Sequence, residues 1–437
     1  MYRIRRFVRL AKRIGVLQAI RFALNYLSKA DTPPQQKLES EIKDLNFHHN
    51  LESIRNFLEP KFKFRVKKHS KYDFSFVIPE IREEIFYGGY LAFLGFLNKA
   101  RLEGLNCRIV LFNQDVNSAI GEVKKIRQKD SSTIFDALDD TDFDSFFNNI
   151  IDFNETEMVL GYNAQIMYFL DELSQIRQKR NIFLFQEDER IFFPNGSIRM
   201  LVEETYRRDF FPIYSSPLLK SEIEAVFPER LANTSLSSSF VNPIIIEVPQ
   251  NTTPIGSKKR LIIYARPEAH ASRNLTELAF LGALEFMQSL PRSERKNWEI
   301  IGVGGNYKGQ IKLSHEISVN MLGKLTLSEY ALELSRSTLG LSLMYAPHPS
   351  IPPFEFVSFG VPTVTNILGY RTQDSYIEVS NLFFPCRNSV TDISQQLNLA
   401  LKFSGTPKVP VFHKSYSEAL SHIDFNVIDR LLSYDVE

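Results

Sequence analysis

Short unbroken apolar runs alternate with longer stretches of helical periodicity along most of the chain. In the first half the runs are FSFVI (74–78), CRIVLF (107–112), MVLGY (158–162) and IFLFQ (182–186), and each predicts a strand buried on both faces. Residues 88–103 place apolar side chains at i, i+3 and i+4 and predict a helix. Two shorter segments, FFPIYSS (210–216) and NPIIIEV (242–248), close this half. PQNTTPIGSKK (249–259) is rich in Pro, Thr, Ser and Gly and predicts a linker. The alternation then restarts with RLIIYA (260–265), WEIIGVG (298–304), ISVNMLG (317–323), LGLSLM (339–344), PTVTN (362–366) and NLFFP (381–385). Helical stretches separate these runs at 274–289, at 327–336, from 354, and at 389–403. Strands alternating with helices imply mainly parallel sheets covered on both faces. The expectation is an α/β chain with two doubly wound, Rossmann-like domains, 72–250 and 258–405, and a ligand crevice at strand C-termini. A basic arm and polar helical extension, 1–71, precede them. A last helical segment, within 406–437, follows and has the first domain as one place to pack.

Composition narrows the class. At 437 residues the chain suits two or three domains with sizeable cores. Its 43% apolar and 24% charged residues are the balance of an ordinary soluble globular protein. Lys plus Arg number 52 against 51 Asp plus Glu, so the net charge of +1 gives no sign of a nucleic-acid partner. Cys107 and Cys386 are too few for a disulfide framework or a zinc cluster. The longest apolar stretch without a charge, near 86–98, falls short of the roughly 18–20 residues that span a bilayer. Collagen, a disulfide-stapled secreted domain, a disordered tail and a multispan transporter are excluded.

One asymmetry hides in the balanced charge. Residues 1–30 carry Arg3, Arg5, Arg6, Arg9, Lys12, Arg13, Arg21 and Lys29 and no acid. Ile4, Phe7, Leu10, Ile14, Leu17, Leu24 and other apolar residues fall between them at roughly helical spacing. A basic amphipathic helix of this kind lies in the headgroup region of an anionic membrane. Packing of its apolar stripe on the main body is the alternative.

The candidate chemistry is concentrated after strands of the second half. In YARPEAHASRN (264–274), Arg266 stands at a strand C-terminus and Arg273 at the expected first turn of the next helix. Two guanidinium groups and free backbone N–H groups there can grip a diphosphate; surface arginines in a connecting loop are the alternative. Gly304 belongs to a Gly-rich turn after a strand. In LGKLT (322–326), Lys324 puts another cation between a strand and a helix. The proline-rich loop and helix that follow (345–366) carry Tyr345, His348, Ser350 and Glu355. A carboxylate at Glu355, in the first turn of that helix, can accept both hydroxyls of a ribose. In the first half, Gln186, Glu187, Asp188 and Glu189 directly follow a buried strand, as either a helix-capping turn or a row of functional groups. Gly88 and Gly89 stand at a helix start, where the missing Cβ lets backbone N–H groups approach a ligand, and Arg82 lies in the same loop. No Asp-x-Asp triplet is expected on a loop after a strand; residues 139–142 read as a solvated acidic turn between helices.

The run from Tyr264 to about Thr365 resembles the donor half of a GT-B glycosyltransferase, similar to glycosyltransferase family 4. More narrowly it resembles the bacterial rhamnosyltransferases that build surface glycans from dTDP-rhamnose. The matching pieces are Arg266-Pro267, Arg273-Asn274, Gly323-Lys324-Leu325-Thr326, and the run from Ser342 to Glu355, SLM-x-x-PHPS-x-PP-x-E. QEDERIFFPNGSIRMLVEETY (186–206) is similar to a Gln-Asp-Tyr-Glu…Phe-Tyr-Pro…Gly-Ser…Glu-x-x-Tyr pattern of the same group, with Glu187 where the pattern has Asp and Asp188 where it has Tyr. The broader family often has a second glutamate eight residues before the ribose-binding one, where this chain has Pro347.

The resemblance implies a GT-B fold and sugar transfer without a metal or other cofactor. It implies that Arg266 and Lys324 contact the donor diphosphate, with Arg273, Gly88, Gly89, Gly304, Tyr345, His348, Ser350 and Glu355 as further donor contacts. Glu187, then Glu189, are the candidates for general base, and Arg82, Gln186 and Asp188 for acceptor binding. The expected donor is a nucleotide sugar, dTDP-rhamnose first. The expected acceptor is a growing surface polysaccharide or lipid-linked glycan, met in the cytoplasm at the inner face of the cell membrane through residues 1–30. A GT-B enzyme using a UDP- or GDP-hexose, and a non-catalytic two-domain sugar-binding protein, are the competing readings.

Overall fold

The computed structural model describes residues 47–58, 63–69, 71–84, 88–129, 133–139, 141–147, 149–228, 237–244, 246, 258–404 and 420–433. The basic segment 1–30, most of the expected linker 249–259 and residues 405–419 lie outside the described residues. The chain forms two compact units, Met1–Lys61 and Phe62–Glu437. The first is described by one helix, α1 (Phe47–Leu58).

In chain order the second unit begins β1 (Lys63–Lys67), β2 (Phe74–Ile78), α2 (Gly89–Leu102), β3 (Cys107–Leu111), α3 (Val116–Lys129), β4 (Asp142–Ser145), β5 (Ile150–Asn154), β6 (Met158–Gly161) and α4 (Ala164–Arg177). It continues β7 (Asn181–Phe185), α5 (Ser197–Tyr206), β8 (Phe210–Tyr214), α6 (Pro217–Val226) and β9 (Ser238–Ser239). Its second half runs β10 (Lys259–Ala265), α7 (Thr276–Ser289), α8 (Arg292–Arg295), β11 (Trp298–Gly304), β12 (Lys308–Lys312), β13 (Ser318–Leu322) and α9 (Leu327–Ser335). It ends β14 (Leu339–Leu341), α10 (Pro352–Ser358), β15 (Thr363–Asn366), α11 (Gln373–Ile377), β16 (Phe383–Cys386), α12 (Val390–Phe403) and α13 (Phe425–Leu432).

Two seven-stranded sheets result, in the orders β4-β3-β2-β6-β7-β8-β9 and β12-β13-β11-β10-β14-β15-β16. Every pairing is parallel except that of the edge strand β12 with β13. Each sheet lays its first long strand in the middle and winds outward in both directions. The order therefore reverses between β2 and β6 in one sheet and between β10 and β14 in the other, and such a reversal opens a crevice at the strand C-termini. Residues of β2, β7 and β8 are buried throughout, the pattern of parallel strands covered on both faces.

Several elements differ from the sequence-based expectation. The stretch up to residue 71 reads as helical, yet KFRVK forms β1, which pairs in parallel with β5 in a separate two-stranded sheet. Its alternation of exposed and half-buried residues is the two-residue period of a one-sided strand. Asp142 is not part of a turn between helices; it opens the edge strand β4, where Asp142 pairs with Lys71 and Asp144 with the buried Arg108. Arg273 precedes the helix, in a 3-10 turn (Ala269–Asn274) before α7. No strand occurs among the described residues of 242–248; the last strand of the first sheet is β9.

The first sheet's core takes in the C-terminal segment: Leu420, Ile423, Phe425, Ile428 and Leu432 are buried with Phe74, Phe96 and Ile182. The second sheet is covered on one face by α7 and α12 and on the other by α9 and α10.

Candidate functional site

Local folding rules hold the polar groups just past the C-termini of strands. Thr326 caps α9 by accepting from the Glu329 N–H (3.3 Å) while Glu329 accepts from the Thr326 N–H (2.9 Å), which fixes the Gly323-Lys324 turn between β13 and that helix. Arg266 leaves β10 with its backbone N–H bound to Thr276 Oγ1 (2.9 Å), tying the loop to the start of α7. Gly304 ends β11 at φ +99°, and a Cβ there would collide with the Tyr264 ring, so only glycine fits. Gly89 is equally confined: a Cβ would meet Tyr162 Oη at 2.6 Å and Gln186 Oε1 at 3.0 Å.

The structure places Arg266 within electrostatic reach of both Arg273 and Lys324. Burial lowers the Lys324 ammonium to about 8, and repulsion from Lys129 and Arg266 adds to that effect. Its Nζ reaches the backbone carbonyl of Glu84, in the loop after β2, so the two sheets meet at this lysine. Burial also lowers Arg273, and the Glu187 carboxylate opposes the change. The Arg273 guanidinium lies 4.9 Å over the Phe192 ring, and its carbonyl accepts from the Tyr345 N–H (2.6 Å). Tyr345 itself is exposed.

Glu355 sits in the first turn of α10, half-buried, with Oε2 accepting from Tyr330 Oη–H (3.0 Å). Burial raises its carboxyl to about 7. Tyr264, raised by burial, feels both Arg266 and Glu355 and so stands between cations and acid. Glu187 lies under the loop after β14: its Oε1 accepts from its neighbour's N–H at Asp188 (3.0 Å) and from the His348 N–H (3.3 Å). Burial raises it to about 8.

Other expected residues are engaged differently. Asp188 is buried and spends both oxygens on Arg190 (2.7–3.1 Å). Glu189, also raised by burial to about 8, caps α4 by accepting from the Ala164 N–H (2.9 Å). Arg82 is exposed and paired with Glu80 (2.7 Å). Gln186 backs onto Gly89, and its Nε2 is buried without a hydrogen-bond partner. Gly88 turns the chain into α2 at φ +58°. A shallow depression of about 530 Å³ lined by Pro267, Glu268, Asn306, Tyr307 and Ile311 lies beside the cation cluster and contains none of it.

Sequence reasoning missed the groups that hold the loop after β14. Arg371 is fully buried and donates to Met344 O (2.6 Å), Tyr376 Oη (2.9 Å) and Asn366 O (3.3 Å). Asn366 clasps Met344 from both sides, accepting from its N–H (2.7 Å) and donating to its carbonyl (2.9 Å). Neither carries a motif: Asn366 is the polar end of a strand and Arg371 a lone arginine beyond it, and only the folded loop shows what they hold.

Residues 259–398 match the family model described as WsaF, C-terminal domain. Crystal structures of Anabaena HepE in complex with UDP and with UDP-glucose are each 11% identical, with TM-scores of 0.52; each aligns over 82% of this chain and over 97% and 98% of its own. The Candida albicans trehalose-6-phosphate phosphatase N-terminal domain is 12% identical over 83% of this chain and 98% of its own, with a TM-score of 0.51. No curated protein matches the chain. The likeness is one of fold, and the fold is GT-B: two Rossmann-like parallel sheets with helices on their faces.

Proposed function

We propose that the chain is a glycosyltransferase that moves a sugar from a nucleoside-diphosphate donor. We further propose dTDP-rhamnose as that donor and a growing bacterial surface polysaccharide or lipid-linked glycan as the acceptor. The observation that carries the reading is Arg266 past the C-terminus of β10, within electrostatic reach of Arg273 and Lys324, with the half-buried Glu355 acting on the same Tyr264. As the bond from sugar carbon to phosphate oxygen breaks, negative charge grows on the leaving diphosphate. Three cations there offset that charge in place of a divalent ion. A bound diphosphate would also push the Lys324 ammonium back up, because opposite charge favours the protonated form. Glu355 would hold the ribose hydroxyls. Glu187, at about 8, is matched to taking a proton from an acceptor hydroxyl near neutral pH, which inverting chemistry requires. The basic segment 1–30 would bring the enzyme to an anionic membrane surface where lipid-linked acceptors reside.

A second donor is favoured by one comparison: the HepE structures are complexes with UDP and UDP-glucose, which supports a UDP-hexose. Thermal-shift and calorimetric titration with dTDP, UDP and GDP separates the readings. Tightest binding of dTDP is expected, tightest binding of UDP selects the second reading, and no response to any nucleotide leaves a sugar-binding protein. Arg266→Ala and Lys324→Ala are each expected to slow transfer by about 10²–10³-fold with the circular dichroism unchanged. Turnover at the wild-type rate in both would overturn the assignment.

A further inference from the structure

Glu355 already has a partner. Tyr330, on α9, lies edge-on to Phe356 of α10 with the ring centroids 6.4 Å apart, which seats its phenol between the two helices covering this face of the second sheet. Its Oη–H donates to Glu355 Oε2 (3.0 Å). A hydroxyl has one proton to give. Burial, then the Glu355 charge, holds this phenol well above the ordinary tyrosine range, so the donor is present at every working pH. Oε1 accepts no hydrogen bond among the described residues, and Glu355 keeps some contact with solvent. Tyr264 faces the acid from β10 and feels Arg266 as well. A ligand whose diphosphate lies on Arg266 therefore brings its pentose towards Oε1.

We propose that Tyr330 is a specificity-determining residue: it holds Oε2 of Glu355, leaves Oε1 for one sugar hydroxyl, and so makes the site prefer a 2′-deoxyribonucleoside diphosphate to its ribo counterpart. The proposal rests on the nucleotide-sugar reading and narrows its donor by the pentose, whichever base that carries. A 2′-deoxyribose brings the 3′-hydroxyl alone, and Oε1 satisfies it. A ribose brings two neighbouring hydroxyls. The second must crowd onto Oε2 beside the phenol or give up its water without a full replacement, and a hydroxyl desolvated in that way loses affinity. The same phenol favours the ionised carboxylate against the burial that raises it, so its removal weakens any nucleotide held by Oε1.

The nucleotides dUDP and UDP differ only at the 2′ carbon. Calorimetric titration of the full chain is expected to show dUDP binding about five- to tenfold more tightly, the effect of one imperfectly paired hydroxyl. In Tyr330→Phe the vacated Oε2 can take the 2′-hydroxyl; both nucleotides should weaken, and the ratio should swing towards UDP by about tenfold. Lost packing or a lost carboxylate charge weakens the two alike and leaves the ratio where it was, as do the charge states of Lys324 and of the phosphates at a common pH. Wild-type affinity for UDP equal to or above that for dUDP overturns the proposal without any variant. A ratio unchanged in Tyr330→Phe overturns the role of the phenol. If the wild type binds neither of these, nor dTDP nor GDP, the functional reading itself fails and this proposal falls with it.

Discussion

Glu355 is an acid held where its charge is costly, with a hydrogen bond from Tyr330 to set against the loss of water around it. Its carboxyl rises from 4.5 to about 7, and Glu187 and Glu189 rise to about 8 for the same first reason. A group whose folded value lies above its unfolded one contributes stability that is complete below the unfolded value and lost as pH climbs through the folded one. These three glutamates therefore weaken the ligand-free protein between about pH 4.5 and pH 8. His348 acts with the opposite sign: lowered to about 4, it contributes stability that is present above its unfolded value and lost as pH falls through 4. Glu355→Gln keeps an oxygen for Tyr330 and cannot ionise. Its melting temperature should match the wild type at pH 5 and exceed it at pH 8, by an amount equivalent to about 3 kcal/mol, since each pKa unit is worth about 1.4 kcal/mol. A difference independent of pH would show that ionisation of this carboxyl is not what burial opposes. In the same variant nucleotide affinity should drop, so stability and binding move in opposite directions.

At the scale of elements, legibility followed burial. FSFVI, CRIVL and NIFLF read as strands because parallel strands covered on both faces leave unbroken apolar runs, and β2, β3 and β7 lie there. β1, β4 and β12 went unread because partly exposed strands keep charged residues such as Lys63, Asp142 and Lys308 in sequence stretches that look like loop or helix. Arg266, Lys324 and Glu355 were legible as polar groups just past apolar runs. Asn366 and Arg371 were not, because their work is to hold backbone that only the folded loop brings near. The basic segment 1–30 is the converse case, an element read from charge and spacing alone. If it binds membrane as proposed, flotation of the full chain with vesicles containing anionic lipid should be strong and salt-sensitive, and removal of residues 1–30 should abolish it. Equal flotation of both proteins would return the segment to the alternative in which its apolar stripe packs on the body.

For the whole molecule, both sheets use the same winding, yet they are finished differently. The second sheet covers its faces with helices local to it, α7 and α12 on one side, α9 and α10 on the other. The first completes its core with the last helix described, whose Phe425 packs edge-on to Phe74 (5.4 Å) and lies 6.4 Å from Phe96. The chain thus leaves the first sheet at residue 239, builds the second, and returns; Lys179 pairs with Asp429 (2.7 Å) and the Arg180 N–H binds Leu432 O (2.7 Å) at the return. Phe425→Ala should therefore act on one sheet. Truncating a buried Phe costs about 3–5 kcal/mol, enough to expose β2 to local opening without touching a contact of β10. Amide hydrogen exchange should accelerate in Phe74–Ile78 and stay unchanged in Lys259–Ala265, while nucleotide affinity, which we propose draws on Arg266, Lys324 and Glu355, is kept. Equal acceleration in both strands would mean that the two sheets open as one cooperative unit, and the return of α13 would then tie the stability of the donor cluster to the first sheet's core.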